Sequence, residues 1–513
     1  MAWRELLERP FCPVPEFIRA CALEQPGATA LIEDGGRRLS WGELDALMDR
    51  VAAALERDGA GRGRRVAIHA ETSMEFVAVF LGAARAGVVI APLPLSPAPD
   101  ALMRMLADAD PALLFLDSAR SRSLEGVEGP PVRRVAIDGG THAQAFEAWL
   151  APPGTAPGPV DAGPDDPFNI VYSSGTTSAP KGVVQPHLMR WSQMHLGRQL
   201  GEDARMMIST PLYATGGSIS LMMALGSGGA AILMRKFDAE AYLKLAQGVR
   251  ATHATLAPAQ YRRMLARPDF GDYDLSAFRT TYSIAESSPA ALKAAFLARW
   301  PGGLIDTYGM TEGGGTCVLA AHERPDKLHT VGRPAPGHEI RIVGDDDLEV
   351  PVGEVGEVVG RSNMMMEGYY KQPDQTAAAD WRDAAGVRFI RTGDYGRLDD
   401  EGFLTICGRK RDMIVSGGFN VFPSDIEAAL LEHGDVEDAA VVAAPSERWG
   451  ETPWGFAVLK PGAAISPEQL TAFANGRLGK VQRLTGLTVV EELPRSDLGK
   501  VLKRELSARL AAT

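Results

Sequence analysis

Residues 172–182 read YSSGTTSAPKG, directly after the apolar run FNIVY. Flexible Gly175, five hydroxyls (Ser173, Ser174, Thr176, Thr177, Ser178) and the Lys181 ammonium can all donate hydrogen bonds to an anion. The stretch misses the P-loop pattern G-x-x-x-x-G-K-[ST]. Counting from Gly175 puts Pro180 where the second glycine belongs and Gly182 where the hydroxyl belongs, so a Walker-type NTPase is disfavoured. An ordinary Gly/Ser/Pro turn is the competing reading. Three further stretches carry chemistry of the same kind. YGMTEGG (308–314) sets an aromatic ring, a hydroxyl and a carboxylate, Tyr308, Thr311 and Glu312, among glycines, although a lone Tyr-Gly pair also ends strands. RTGDYG offers Asp394, in what is also a common turn dipeptide. PRSDLGK ends on Lys500, and a lysine so near a C-terminus is ordinarily just solvated.

Such groups need a frame to bring them together. At 513 residues the chain exceeds the roughly 250–300 at which a single core stops growing, so at least two domains are expected. From Arg64 onward, apolar β-branched runs alternate with helical stretches: RRVAIHA with SMEFVAVFLGAARAG, VVIAPLPL with a helix near 99–108, then ALLFLD. A second round follows the glycine loop, from AAILM through ATHATLA and TTYSIA to LIDTYG. This is the βαβ grammar of parallel sheets covered by helices, and it predicts two stacked α/β subdomains. Between them APPGTAPGPVDAGPDDP (151–167) reads as a surface linker. After about Thr330 short strands with glycine turns predict a small β-barrel or distorted sheet, and from Arg409 a compact α+β module. The expected division is a body, 1–408, and a C-terminal domain, 409–513.

Composition narrows the partners. With 53 basic and 65 acidic residues the net charge is −12, which argues against a general binder of nucleic acid or anionic membrane. One candidate basic patch is the tail 475–513, where eight Lys/Arg outnumber four Asp/Glu, although a solvated charged surface is the competing reading. The four cysteines form no C-x-x-C pair, so neither a zinc site nor a disulfide framework is expected, and a reducing cytoplasm suits them. The N-terminal residues lack the apolar core of a secretory signal. The uncharged stretch 206–234 contains Pro211 and five glycines and reads as strand, turn, helix and strand rather than a membrane span. A homodimer is the base expectation.

YSSGTTSAPKG, YGMTEGG, RTGDYGRLDDEGFLTICGRKRDMIVSGGFNVFPSDIE (391–427) and PRSDLGKVLKREL (494–506), in that order, resemble the adenylate-forming superfamily of acyl-CoA synthetases, peptide-synthetase adenylation domains and beetle luciferases. The resemblance spans nearly the whole chain. It implies an ATP-dependent acid:CoA ligase that makes an acyl-AMP, releases pyrophosphate and passes the acyl group to CoA. By that resemblance Thr176, Thr177 and Lys181 grip the β- and γ-phosphates, and Ser173, Ser174 and Gly175 belong to the same ATP-binding loop. Tyr308 with Gly309 stacks on adenine, Thr311 reaches the α-phosphate, and Glu312 holds Mg2+. Asp394 accepts from the ribose hydroxyls, and Arg409 approaches ribose or phosphate. Lys500 enters the site during adenylation, bridging carboxylate and phosphate oxygens. The C-terminal domain then rotates about the position of Arg411, where the family usually has Asp or Lys, and Gly417 and Gly418 line a pantetheine tunnel.

The resemblance also locates the acyl pocket, at Tyr213, Ala214, Thr215, Gly216, Ile284, Ala285, Gly313 and Gly314. Ala214 stands where a histidine usually gates that pocket. STPLYATGGSISL (209–221) holds no Asp or Glu to bind an ammonium, so an amino acid is disfavoured and an aromatic, alicyclic or medium-chain fatty acid is expected. Two alternatives stay open: an adenylating enzyme that loads a carrier protein, and a non-catalytic nucleotide-binding regulator.

Overall fold

A computed structural model describes residues 2–140, 143–173, 180–286, 288–496 and 499–511. The apolar runs become the strands of two large sheets. In the first, the neighbours are, in order, Gly368–Tyr369, Lys181–Pro186, Pro167–Ser173, Val89–Pro92, Arg65–His69, Leu113–Leu116, Arg133–Ala136 and Gln144–Ala145. In the second they are Arg333–Pro334, Cys317–Ala320, Gly303–Tyr308, Thr280–Ser283, His253–Leu256, Arg205–Ile208, Ala230–Leu233, Thr29–Glu33 and Arg38–Ser40. Both are parallel at the centre; the second is extended by antiparallel strands at both edges, the first at the Gly368–Tyr369 edge alone, its Gln144–Ala145 edge being parallel.

The helices Trp41–Arg57, Met74–Arg85, His187–Leu196 and Thr215–Gly226 fill the space between the sheets. Their apolar side chains, among them Trp41, Phe80, Trp191 and Leu221, share one core with Val66 and Ile68 of the first sheet and Met206 and Ile208 of the second. Local signals start these helices where they are needed. Ser40 and Glu43 form a reciprocal capping box, and Ser73 accepts from the Phe76 amide. The uncharged stretch 206–234 folds as Arg205–Ile208, Thr215–Gly226 and Ala230–Leu233, and among the described residues no helix is long and apolar enough to cross a membrane.

Two expectations need correction. The layers do not follow chain order: Thr29–Glu33, well before the first βαβ round, runs parallel to Ala230–Leu233 in the second sheet, because its almost fully buried ALIE run needs both faces covered. The segment 151–167 carries no helix or strand before Pro167, yet it is no free linker. Ala151 and Ala162 are buried, and Arg50 and Glu56 bind the backbone of Ala151 and Gly158, which straps the segment to the body.

The segment after Thr330 takes the distorted-sheet form. Glu339–Val343, Gly356–Arg361, Arg388–Leu398 and Asp380–Arg382 pair in order, Leu404–Arg409 adds to Arg388–Leu398, and the ladders shift register at Glu357/Val359 and Tyr395/Gly396. Strands from Ile414 onward form a fourth sheet of their own, with separate cores around Ile426 and Leu430 and around Phe456 and Leu506. The whole is a large N-terminal domain of sheets and a small C-terminal α/β domain.

Strand Gly303–Tyr308 is anchored by a buried charge pair. Lys293 Nζ lies 2.5 Å from Asp306 Oδ2 and 2.9 Å from the Thr330 carbonyl, with side-chain exposures of 1% and 4% for the two ions. Lys293→Met leaves the Asp306 charge buried alone and is expected to cost about 3–5 kcal/mol, with much of it restored by adding Asp306→Leu. Unfolding midpoints of the two variants in urea check this; a single variant as stable as wild type would contradict it.

Candidate active site

Three site segments follow the carboxyl ends of neighbouring parallel strands. Ser209–Ala214 follows Arg205–Ile208, Ile284 and Ala285 follow Thr280–Ser283, and Gly309–Gly314 follows Gly303–Tyr308. Ligands of open parallel sheets gather at such ends.

At one end of this edge, Tyr308 donates its hydroxyl to Asp394 Oδ2 at 2.7 Å, and Arg409 Nε stands 3.2 Å from Asp394 Oδ1. Asp394 and Arg409 are cross-strand partners in the third sheet, so the ladder itself fixes the pair. The Asp394 amide is capped by Thr392 Oγ1 at 3.0 Å. Burial first, and the adjacent Asp394 charge second, hold the Tyr308 phenol well above its usual pKa, so it stays a neutral donor.

At the other end, Tyr369 donates to Glu312 Oε1 at 2.9 Å, and the Lys181 ammonium lies 3.8 Å from the centroid of the same ring. Burial, then the Glu312 charge, raises the Tyr369 phenol. The Met366 amide donates to the Glu312 carbonyl at 2.8 Å. Gly313, at φ +78°, has no room for a side chain: an added Cβ would sit 1.6 Å from the Met364 carbonyl oxygen. Ser174, Gly175, Thr176, Thr177 and Ser178 lie outside the described residues, as does the side chain of Ser173. Glu312 offers a hard carboxylate oxygen, a donor that fits Mg2+ completed by substrate phosphates. Among the described residues no group of three or more His, Cys, Asp or Glu surrounds it.

Between these ends, Thr215 Oγ1 donates to Thr311 Oγ1 at 3.2 Å, which joins the start of helix Thr215–Gly226 to the YGMTEGG turn. Tyr213 and Ala214 are buried, and Gly216 and Ile284 meet, since a Cβ on Gly216 would stand 2.5 Å from Ile284 Cδ1. Ala285 is held at φ +80°, a strained conformation for alanine. Gly313 and Gly314, expected beside these residues, turn their open faces to the backbone of Met364 and Gly360. Gly309 lies close to Thr316.

The C-terminal domain brings Lys500 to this site. Its ammonium is held below the usual lysine value, first by the crowding of protein atoms around it and then by the Arg409 cation, with Asp394 and Glu286 opposing. The side chain nonetheless keeps substantial solvent exposure. Arg495 fixes the approach: it donates to the carbonyl of Gly499, pairs with Asp438 of its own domain, and reaches Glu286 of the large domain at 3.4 Å. Arg262 of the large domain closes the cluster on Asp438 at 3.3 Å. Burial, opposed by Arg495, raises the Glu286 carboxyl above its usual value. Arg411 is exposed in the 3-10 turn Lys410–Asp412. Gly417 and Gly418, both at positive φ, make the turn between Ile414–Ser416 and Phe419–Val421, beside exposed Trp449.

Sequence reasoning missed Tyr369, Glu286, Arg495, Asp438 and Arg190. Only Arg190 had a readable signal: it shares the 187, 190, 191, 194 spacing of a buried helical face. A cavity of about 700 Å³ behind Tyr369, bounded by Arg62, His187, Tyr370 and Gln372, contains none of the expected acyl residues.

Comparison with known proteins bears on the same residues. The profile of the AMP-binding enzyme family matches residues 18–370, and that of the AMP-binding enzyme C-terminal domain residues 425–500. An indoleacetate–CoA ligase of Aromatoleum aromaticum is 34% identical over 509 residues, covering 96% of this chain and 98% of that ligase. A fatty acid–[acyl-carrier-protein] ligase, ScoC, of Streptomyces coeruleorubidus is 32% identical over 502 residues, covering 95% of this chain and 94% of that ligase. The crystal structure of the anthranilate CoA ligase AuaEII in complex with anthranoyl-AMP superposes with a TM-score of 0.89, at 25% identity over 100% of both chains.

Gly313→Ala is expected to displace Glu312, lowering ATP affinity about tenfold through roughly 1–3 kcal/mol of backbone strain. Calorimetric titration of the full chain with ATP checks this, and unchanged affinity would contradict it.

Proposed function

Because the chain belongs to the AMP-binding enzyme family and is an AMP-forming acid:CoA ligase, we propose that its substrate is an aromatic, alicyclic or medium-chain fatty acid. The observation that carries the proposal is the acyl segment itself: 209–221 contains no acidic residue, and its glycines and Ala214 leave an uncharged site at the strand ends. The indoleacetate–CoA ligase and the fatty acid ligase ScoC among its relatives support it.

In the first step a substrate carboxylate oxygen attacks the α-phosphorus of ATP, and the bond to the β-phosphate breaks to release pyrophosphate. Tyr308 and Gly309 face adenine, Asp394 takes the ribose hydroxyls with Arg409 beside it, and Thr311 contacts the α-phosphate. Lys181 and the hydroxyls of Ser173, Ser174, Thr176 and Thr177, with the Gly175 backbone, grip the departing phosphates. Mg2+ held by Glu312 would neutralise phosphate charge as it develops. Lys500 stabilises the oxygens on which charge gathers in the transition state. In the second step the CoA sulfur attacks the acyl carbon, AMP leaves with the bonding electrons, and the thiol proton is released.

We further assign 1–408 as the body and 409–513 as a module that turns about Arg411 between the steps, withdrawing Lys500 and bringing Gly417 and Gly418 to the pantetheine path. The cytoplasm, which supplies ATP and CoA, is the proposed location. A second reading, transfer to a carrier protein's pantetheine, is favoured by the similarity to ScoC.

The test is a panel of carboxylic acids with ATP and either CoA or a phosphopantetheinyl carrier, followed by AMP release. Activity is expected with CoA and ring-bearing or medium-chain acids; turnover only with the carrier, or only with amino acids, would overturn the proposal. In the same panel Ala214→His is expected to lower kcat/KM for the bulkiest accepted acid about 10-fold or more by filling the pocket. An unchanged substrate profile would remove Ala214 from the pocket wall.

A further inference from the structure

A guanidinium without a carboxylate partner lies in the helical layer between the two large sheets. Arg190 is 0% exposed. Among the described residues no acid supports its charge; burial alone moves its pKa, down to about 9, which leaves it a cation at neutral pH. A buried cation without a counter-ion depends on the hydrogen bonds that its neighbours accept from it. All its charge is met by neutral groups. Nε donates to Asn169 Oδ1 at 2.9 Å, and Nη1 donates to Gln193 Oε1 at 2.7 Å and Ser218 Oγ at 3.0 Å. Nη2 donates to Gln185 Oε1, which also accepts from Asn169 Nδ2 at 3.0 Å.

From this hub two arms run toward the nucleotide end of the site. Along one, Gln185 Nε2 donates to the Thr311 carbonyl at 2.8 Å. Along the other, Ser218 Oγ donates to the Thr215 carbonyl at 3.0 Å, and Thr215 Oγ1 donates to Thr311 Oγ1 at 3.2 Å. The arms leave different nitrogens of one rigid planar group and end on the backbone and the side chain of the same residue. A fork of fixed geometry can set both at once, and a cation polarises the amide and hydroxyl that relay it.

We propose that Arg190 is a positioning residue that orients Thr311 for the phosphate of the nucleotide. It touches no reactant itself. This rests on the proposed contact between Thr311 and the α-phosphate. The bonds to Asn169, Gln185, Gln193 and Ser218 satisfy buried polar groups, and the convergence of two of them on Thr311 is what points to a role beyond stability.

The test needs no knowledge of the acid. Calorimetry on the full chain compares the affinities of AMP and adenosine, whose ratio isolates what the phosphate contributes. Arg190→Met is expected to weaken AMP about tenfold and adenosine little. Arg190→Lys, which keeps charge without the fork, is expected to recover part of the loss. In a Thr311→Ala background Arg190→Met is expected to change the ratio no further, because its effect passes through Thr311. Equal weakening of AMP and adenosine, or losses that add in the double variant, would overturn the proposal. Should Arg190→Met fail to fold, Gln185→Leu and Ser218→Ala each cut one arm and are judged by the same ratio. A wild-type protein that binds AMP no better than adenosine would instead remove the phosphate contact on which the inference stands.

Discussion

Arg495 has to satisfy two carboxylates at once. Asp438 belongs to its own domain and Glu286 to the other, and the same guanidinium holds the carbonyl next to Lys500. In the proposed adenylation step Lys500 serves the nucleotide from this docked position. The contact is built of largely buried charges, whose desolvation offsets much of their attraction. Such an interface favours docking without committing to it. The C-terminal domain meanwhile keeps its own cores around Ile426, Leu430, Phe456 and Leu506, which do not depend on the body. Strength inside each domain and weakness between them is what the proposed rotation requires.

The large domain meets the opposite demand, since a nucleotide must find its ligands already in place. Tyr308 and Asp394 hold each other across two sheets, and Tyr369 ties Glu312 to the aromatic face under Lys181. The glycine at 313 is pressed against Met364, and Thr311 is approached from two sides by the network of Arg190. Each of these side chains arrives from a different strand or helix. The turn they surround has little freedom left, which is the preorganisation that electrostatic catalysis needs.

The fold was legible where one physical signal dominated. Apolar runs alternating with helical periodicity announced parallel sheets, and a change to short strands with glycine turns announced the third sheet. Which strand joins which sheet was not legible: the placement of Thr29–Glu33 is decided by burial against Ala230–Leu233, far along the chain. The site segments could be read as chemistry, because Tyr308, Glu312, Asp394 and Lys500 sit in short motifs of unusual composition. Their partners could not. Glu286, Asp438 and Arg262 look like surface charges in sequence, and only the docking of two domains makes them one cluster. Tyr369 likewise gains meaning only when its strand pairs with the strand that begins at Lys181.

The central claim, that a docked terminal domain delivers one ammonium group for adenylation alone, is tested most directly by timing the two half-reactions of Lys500→Ala. Acyl-AMP formation from acid and ATP is expected to fall about 10²- to 10³-fold, while attack of CoA on supplied acyl-AMP stays within about twofold of wild type. Equal losses in both half-reactions would contradict the account.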